Sequence, residues 1–147
     1  SEGVYNVYGL ETGKWLYWHE NGKLKEESNY FKGKLHGKVA YFYENGKPQD
    51  EGYFFNGLQD SIKLHWYESG KIQEQGFYKR GYMDSIWVKY YENGKKQQED
   101  LYNKGIKKIV SFWDTSGIQT VKQGNGFVNL YYQNLFLSLA VLVQIAD

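Results

Sequence analysis

One six-residue pattern governs what this chain can fold into. Trp18-His19-Glu20-Asn21-Gly22-Lys23 returns as Phe42-Tyr43-Glu44-Asn45-Gly46-Lys47, as Trp66-Tyr67-Glu68-Ser69-Gly70-Lys71 and as Tyr90-Tyr91-Glu92-Asn93-Gly94-Lys95, 24 residues apart each time. A frayed fifth copy stands at Phe112-Trp113-Asp114-Thr115-Ser116-Gly117, and a sixth begins at Tyr131-Tyr132-Gln133-Asn134 without reaching its glycine. A fixed period of this length means one supersecondary unit stacked on copies of itself.

A second glycine series, Gly9, Gly33, Gly57, Gly81 and Gly105, interleaves with the first, so turn dipeptides follow at alternating intervals of 13 and 11 residues. Asn-Gly between alternating runs is the signal of a two-residue type I′ hairpin turn, because both central residues need positive φ. The expected fold is all-β: an elongated, single-layer antiparallel meander of ten to twelve strands, built from about five 24-residue hairpin repeats. Tight turns would pair Glu20 with Lys23, His19 with Leu24, Trp18 with Lys25 and Tyr17 with Glu26. The two extra residues of the longer interval point to a bulge near Gly37, Ser61 and Ser85.

Composition supports strands joined by turns: 17 glycines stand against one proline, and 19% of the 147 residues are aromatic. Strand alternation separates two faces. Leu16, Ala40, Leu64 and Val88 share one with Trp18, Phe42, Trp66 and Tyr90, and this face reads as apolar. Tyr17, Tyr41, His65 and Lys89 share the other with His19, Tyr43, Tyr67 and Tyr91. A further ladder, Tyr30, Phe54, Tyr78 and Tyr102, runs through the intervening strands. A single sheet has no second layer to hide under, so large rings lying over their neighbours must do the burying.

The array spans residues 1–134. Residues 135–147, Leu135-Phe136-Leu137-Ser138-Leu139-Ala140-Val141-Leu142-Val143-Gln144-Ile145-Ala146-Asp147, form an apolar tail too short and interrupted to span a bilayer. It reads as a terminal cap on the last strands, with a non-native or truncated tail and a membrane anchor as alternatives. The chain opens on Ser1 and shows no signal peptide, as a processed form or a piece of something longer would.

A formal net charge of +1, with Lys and Glu alternating, provides no field for nucleic acid or an anionic membrane. The absence of cysteine excludes disulfides and thiolate metal sites but selects no compartment. His19, His36 and His65 occupy three phases of the repeat and cannot converge on a metal or a nucleophile. The acids Glu20, Glu44, Glu68 and Glu92, and Glu26, Asp50 and Glu74, are interleaved with lysines on an open sheet, where nothing raises one pKa of a catalytic pair. No glycine-rich loop opens a helix that could cradle phosphate. The expectation is no catalytic residue, no metal and no cofactor.

The repeat core, Tyr/Trp-Tyr-Glu-Asn-Gly-Lys-x-x-x-Glu-x-x-x-Tyr-x-x-Gly-x-x-x-Gly/Ser, resembles the MORN repeat variant family of bacterial proteins, with Trp18 through Val39 as the nearest copy. The resemblance extends over about residues 1–134 and implies an elongated antiparallel sheet used for binding or scaffolding. Some similar bacterial proteins carry antitoxin-type labels, and the founding MORN repeats are associated with membranes. Cytoplasm and cell envelope both remain open as compartments.

One functional candidate survives: the stripe Tyr17, His19, Tyr41, Tyr43, His65, Tyr67, Lys89 and Tyr91. Rigid amphipathic rings at regular spacing suit a partner protein or, alternatively, the stacked sugar rings of a cell-wall glycan. Choline-binding wall modules share the aromatic and glycine content, but their repeats are nearer 20 residues and lack Glu-Asn-Gly-Lys. The same rings would also serve simply to cover the sheet. The partner expected is therefore another protein, or alternatively a glycan, rather than a membrane, with no nucleic acid, and with edge-to-edge pairing of two copies as a way to satisfy exposed sheet edges.

Overall fold

The computed structural model describes residues 1–122, 125–129 and 140–142. It is a single open antiparallel sheet in which every strand pairs with its neighbours in sequence. The strands are β1 (Glu2–Tyr5), β2 (Glu11–Trp18), β3 (Leu24–Phe31), β4 (Lys34–Phe42), β5 (Pro48–Phe55), β6 (Leu58–Trp66), β7 (Ile72–Lys79), β8 (Tyr82–Tyr90), β9 (Lys96–Asn103), β10 (Ile106–Trp113), β11 (Gln119–Lys122), β12 (Asn125–Asn129) and β13 (Ala140–Leu142). Contacts between elements run almost wholly between consecutive strands, as in a nearest-neighbour solenoid. The described residues form thirteen strands against the expected ten to twelve or so, because β1 opens the sheet before the first full repeat and β13, from the apolar tail, pairs with β12. The rest of the 135–147 cap reading lies outside the described residues.

The two turn series are chemically different. Lys32-Gly33, Asn56-Gly57, Arg80-Gly81 and Lys104-Gly105 are the expected two-residue turns, with both residues at positive φ. The Glu-Asn-Gly-Lys turns are not. There Asn21, Asn45 and Asn93 keep negative φ, and only the glycine enters the left-handed region. The loop is one residue longer: His19 N–H bonds to Lys23 C=O at 2.8 Å, and Gly22 N–H bonds to His19 C=O at 3.0 Å. Asn6–Leu10, Tyr43–Lys47, Tyr67–Lys71, Tyr91–Lys95 and Asp114–Ile118 close in the same way.

In three of the four copies the asparagine side chain reinforces this loop. Its Oδ1 accepts the N–H of the lysine two residues on, at 3.0 Å in Asn21, 2.8 Å in Asn45 and 2.9 Å in Asn93, while Tyr67–Lys71 closes alike over Ser69. Consequently the expected register is corrected. Tyr17 does pair with Glu26, but Trp18 faces Leu24, Lys25 is bulged out, and Glu20–Lys23 and His19–Leu24 are not ladder pairs. The same slip recurs beside Phe42, Trp66, Tyr90 and Trp113.

The bulges expected in the longer interval stand where the spacing put them. Gly37, Ser61 and Ser85 have φ of 97°, 75° and 61°, and Gly13 at 68° marks the same place in the first repeat. Ser61 makes no side-chain hydrogen bond among the described residues, so its left-handed backbone is strained without compensation. Ser61→Gly is expected to raise stability by about 1 kcal/mol, read from the urea midpoint.

Burial follows from rings lying over glycine. A Cβ on Gly76 would sit 2.1 Å from the Trp87 ring, and one on Gly3 would sit 2.1 Å from the Trp15 ring. Each tryptophan thus occupies the space that a neighbouring side chain would fill, and both are buried. Val39, between them in the array and also buried, faces Gly52 on one side and Ser28 on the other.

Candidate functional site

The register places Trp15, Ser28, Val39, Gly52, Lys63, Gly76, Trp87 and Asp100 in one row on the tyrosine-bearing face. Beside it runs Tyr17, Glu26, Tyr41, Asp50, His65, Glu74, Lys89 and Gln98. The opposite face is not uniformly apolar, as the one-strand reading had it: Glu27, Glu51, Gln75 and Glu99 stand between Leu16, Ala40, Leu64 and Val88. Strand-by-strand alternation shows only one hairpin arm at a time and so hides the interleaved arm.

The eight candidate residues divide by what their polar atoms do. His19, Tyr43, Tyr67 and Tyr91, the first residues of their loops, reach into the following repeat. His19 Nε2 meets Phe42 C=O at 2.8 Å; the Tyr43, Tyr67 and Tyr91 hydroxyls donate to the carbonyls of Trp66, Tyr90 and Trp113 at 2.5, 2.7 and 2.9 Å. These four side chains join repeat to repeat.

The rest of the hexapeptide does likewise. Asn21, Asn45 and Asn93 donate through Nδ2 to Glu44, Glu68 and Thr115 carbonyls. Lys23, Lys47 and Lys95 lay their stems across Gly46, Gly70 and Gly117 and donate through Nζ to Asn45, Ser69 and Ser116 carbonyls. Where Ser69 replaces asparagine, Lys71 Nζ takes the vacant role and donates to Glu92 C=O at 2.8 Å. Glu-Asn-Gly-Lys is therefore a clasp between successive turns. In the fifth copy Asp114 does the turn-closing part alone: it accepts from the Ser116 hydroxyl and from the Ile118 and Ser116 N–H groups, which hold its carboxyl below the ordinary value.

Tyr17, Tyr41, His65 and Lys89 behave differently. His65 faces Glu74 across the strand pair as expected, but its Nδ1 lies 3.1 Å from Asp50 on the other side. Lys63 also pairs with Asp50, and Lys89 stands 3.6 Å from Glu74. The Tyr17 and Tyr41 hydroxyls have no partner among the described residues, and Tyr41 is 38% exposed. His36, the third histidine, lies between Phe31 and Phe55 at centroid distances of 5.6 and 5.0 Å, far in the repeat from the other two.

Sequence reading passed over Trp15 and Trp87. Their signal was present: both hold the same phase of the repeat, three periods apart, and each has a strand glycine beside it.

A family model described as MORN repeat variant matches residues 11–32, 35–56, 59–80 and 83–104. The chain belongs to the MORN repeat variant family. Each matched segment begins in β2, β4, β6 or β8, passes the clasp loop and ends at a two-residue turn, so the MORN repeat unit and the structural unit coincide. MORN repeats are in general protein- and membrane-binding modules, and the family is not known as enzymatic. No relative among the curated proteins matches the chain. Among the described residues no helix is long and apolar enough to cross a membrane, and no group of three or more His, Cys, Asp or Glu could hold a metal ion.

The clasp tyrosines carry a pH signature. Burial first, and then neighbouring acids, raise Tyr43, Tyr67 and Tyr91 above the ordinary tyrosine value of 10.0. A raised folded-state pKa means the native state holds the proton more tightly. Stability from these groups is then complete below pH 10 and is lost as pH climbs through their folded values. Urea midpoints between pH 9 and 11.5 should fall in the native chain, and fall less in a chain with all three changed to phenylalanine.

Proposed function

We propose that this MORN array is a non-enzymatic module that binds a partner protein through the Tyr17–Tyr41 part of its tyrosine-bearing face. The observation that carries the reading is the contrast within that face. The hydroxyls of Tyr43, Tyr67 and Tyr91 are consumed by neighbouring carbonyls, whereas those of Tyr17 and Tyr41 are free to donate and accept. Rigid tyrosines, Tyr41 exposed and Tyr17 half-buried, with unused hydroxyls contribute large contact area at low entropy cost. The acids Asp50 and Glu74 on this face are paired with Lys63 and Lys89, with His65 Nδ1 beside Asp50, an arrangement suited to holding a sheet together rather than to proton transfer.

The test compares the intact chain with Tyr17→Ser/Tyr41→Ser in a pull-down from the source organism, after both are shown to melt alike. The expected result is a protein retained by the first and lost by the second, with polysaccharide leaving tryptophan fluorescence unchanged. Equal retention by both, or quenching by polysaccharide that Tyr17→Ser/Tyr41→Ser abolishes, would overturn the protein-binding reading. The latter outcome would establish the glycan alternative.

A further inference from the structure

Charge is distributed unevenly along the tyrosine-bearing face. Asp50 is paired with Lys63 and His65, Glu74 with Lys89, and the buried Asp100 with Lys107 at 2.7 Å. On the opposite face Glu27, Glu51 and Glu99 are likewise paired, with Lys14, Lys38 and Lys96 at 2.9, 2.7 and 2.6 Å. On the tyrosine-bearing face Glu11 and Glu26 break the pattern: neither has an ion-pair partner among the described residues. Glu26 accepts only the hydroxyl of the fully buried Ser28.

These two acids stand among rings. Glu26 lies directly between Tyr17 and Tyr41 in the strand register. Trp15 floors the cluster, stacked with Tyr17 at 6.4 Å and edge-on to Tyr30 at 6.2 Å. Tyr17, Tyr30 and Tyr41 have pKa values raised first by burial, with Glu26 among the charges that add to it in all three. The negative field of that carboxylate therefore acts on the surface where a ligand would sit.

Resting on the protein-binding reading above, we infer that Glu11 and Glu26, with the faces of Tyr17, Tyr30 and Tyr41, receive the guanidinium or ammonium of an arginine or lysine side chain on a basic segment of the partner protein. The chemistry is complementary in two ways. Aromatic faces attract a cation through the ring quadrupole, and an uncompensated carboxylate between two rings supplies charge and acceptors at the same point. An anionic lipid headgroup or a nucleic-acid phosphate would meet repulsion here. The partner's cation completes the pairing that Lys63, Lys89 and Lys107 provide elsewhere on the same face.

The test measures anisotropy of a fluorescent decapeptide of alternating glycine and arginine, titrated with the intact chain at low salt. The matching glycine–glutamine peptide serves as control. Binding of the arginine peptide alone is expected, with Glu26→Gln weakening it about tenfold and Tyr17→Ser/Tyr41→Ser weakening it further. Glu27→Gln is the decisive comparison, since it removes the same charge one residue away but on the opposite face; it should leave affinity unchanged. Equal loss in Glu26→Gln and Glu27→Gln, binding of both peptides alike, or no binding of the arginine peptide would each overturn the inference. If the peptide fails while Tyr17→Ser/Tyr41→Ser still loses its protein in the pull-down, only the cation is wrong. If the pull-down also fails, the binding face itself is.

Discussion

Gly76→Ala should cost the array about 3 kcal/mol and lower its melting temperature by roughly 10 °C, although the added methyl is the smallest change a side chain can make. Gly76 has no positive φ, so alanine suits its backbone. The whole penalty comes from the new Cβ, which would lie 2.1 to 2.5 Å from three atoms of the Trp87 indole. The ring must leave its seat, giving up its contacts with Tyr78 and Tyr102 at 5.2 and 6.3 Å and its hydrogen bond to Phe77 C=O at 3.0 Å. In a sheet without a second layer nothing else covers that strand. Trp87→Ala should cost about as much, near the usual 3 to 5 kcal/mol for a buried aromatic. Adding Gly76→Ala to Trp87→Ala should then cost nothing further, because the clash has gone and alanine is the better strand residue. Calorimetry on the three variants decides it: additive losses would mean that the glycine is not there for the ring.

The second large effect separates two sets of tyrosines that the sequence presents as one. Tyr43→Phe, Tyr67→Phe and Tyr91→Phe together should lower stability by about 3 kcal/mol, at about 1 kcal/mol for each lost hydroxyl-to-carbonyl bond. The rings stay, so burial hardly changes. Tyr17→Phe with Tyr41→Phe should lie within about 0.5 kcal/mol of the native chain, since neither hydroxyl has a partner to lose. Urea melts of the two variants give the comparison directly, and equal losses would erase the division between clasp and binding surface.

Much of the architecture was legible in the sequence because period and glycine placement are local quantities. The 24-residue step gave the meander, Lys32-Gly33 and its equivalents gave two-residue turns, and Ser61 and Ser85 marked bulges. The Asn-Gly turns were misread for a physical reason. Asn21-Gly22 satisfies the type I′ rule as a dipeptide, but its asparagine spends Oδ1 on Lys23 N–H and Nδ2 on Glu44 C=O. The second of these bonds depends on where the next turn lies, which no dipeptide rule contains. The candidate stripe was blurred likewise: Tyr41 and Tyr43 share a face and a side-chain type, and only the reach of Tyr43 to Trp66 distinguishes them. Glu26 was read only as one rung of a solvated acid ladder, and Glu11 and Trp15 were passed over, because a charge's lack of a counterpart is a property of the assembled surface.

The clasp has a direction. Asn21, Lys23, Tyr43, Asn45 and Lys47 all donate forward, from one repeat to carbonyls of the next, and none of these bonds runs back. Along the clasp edge, a face cut toward the C-terminal side would carry unspent donors, and one cut toward the N-terminal side would carry unspent carbonyls. As the chain leaves the ribosome, the N-terminal repeat of each pair emerges with its donors waiting, and the arrival of the following turn completes it. Growth is therefore rewarded one repeat in arrears, and an added copy of the repeat would seat itself in only one orientation.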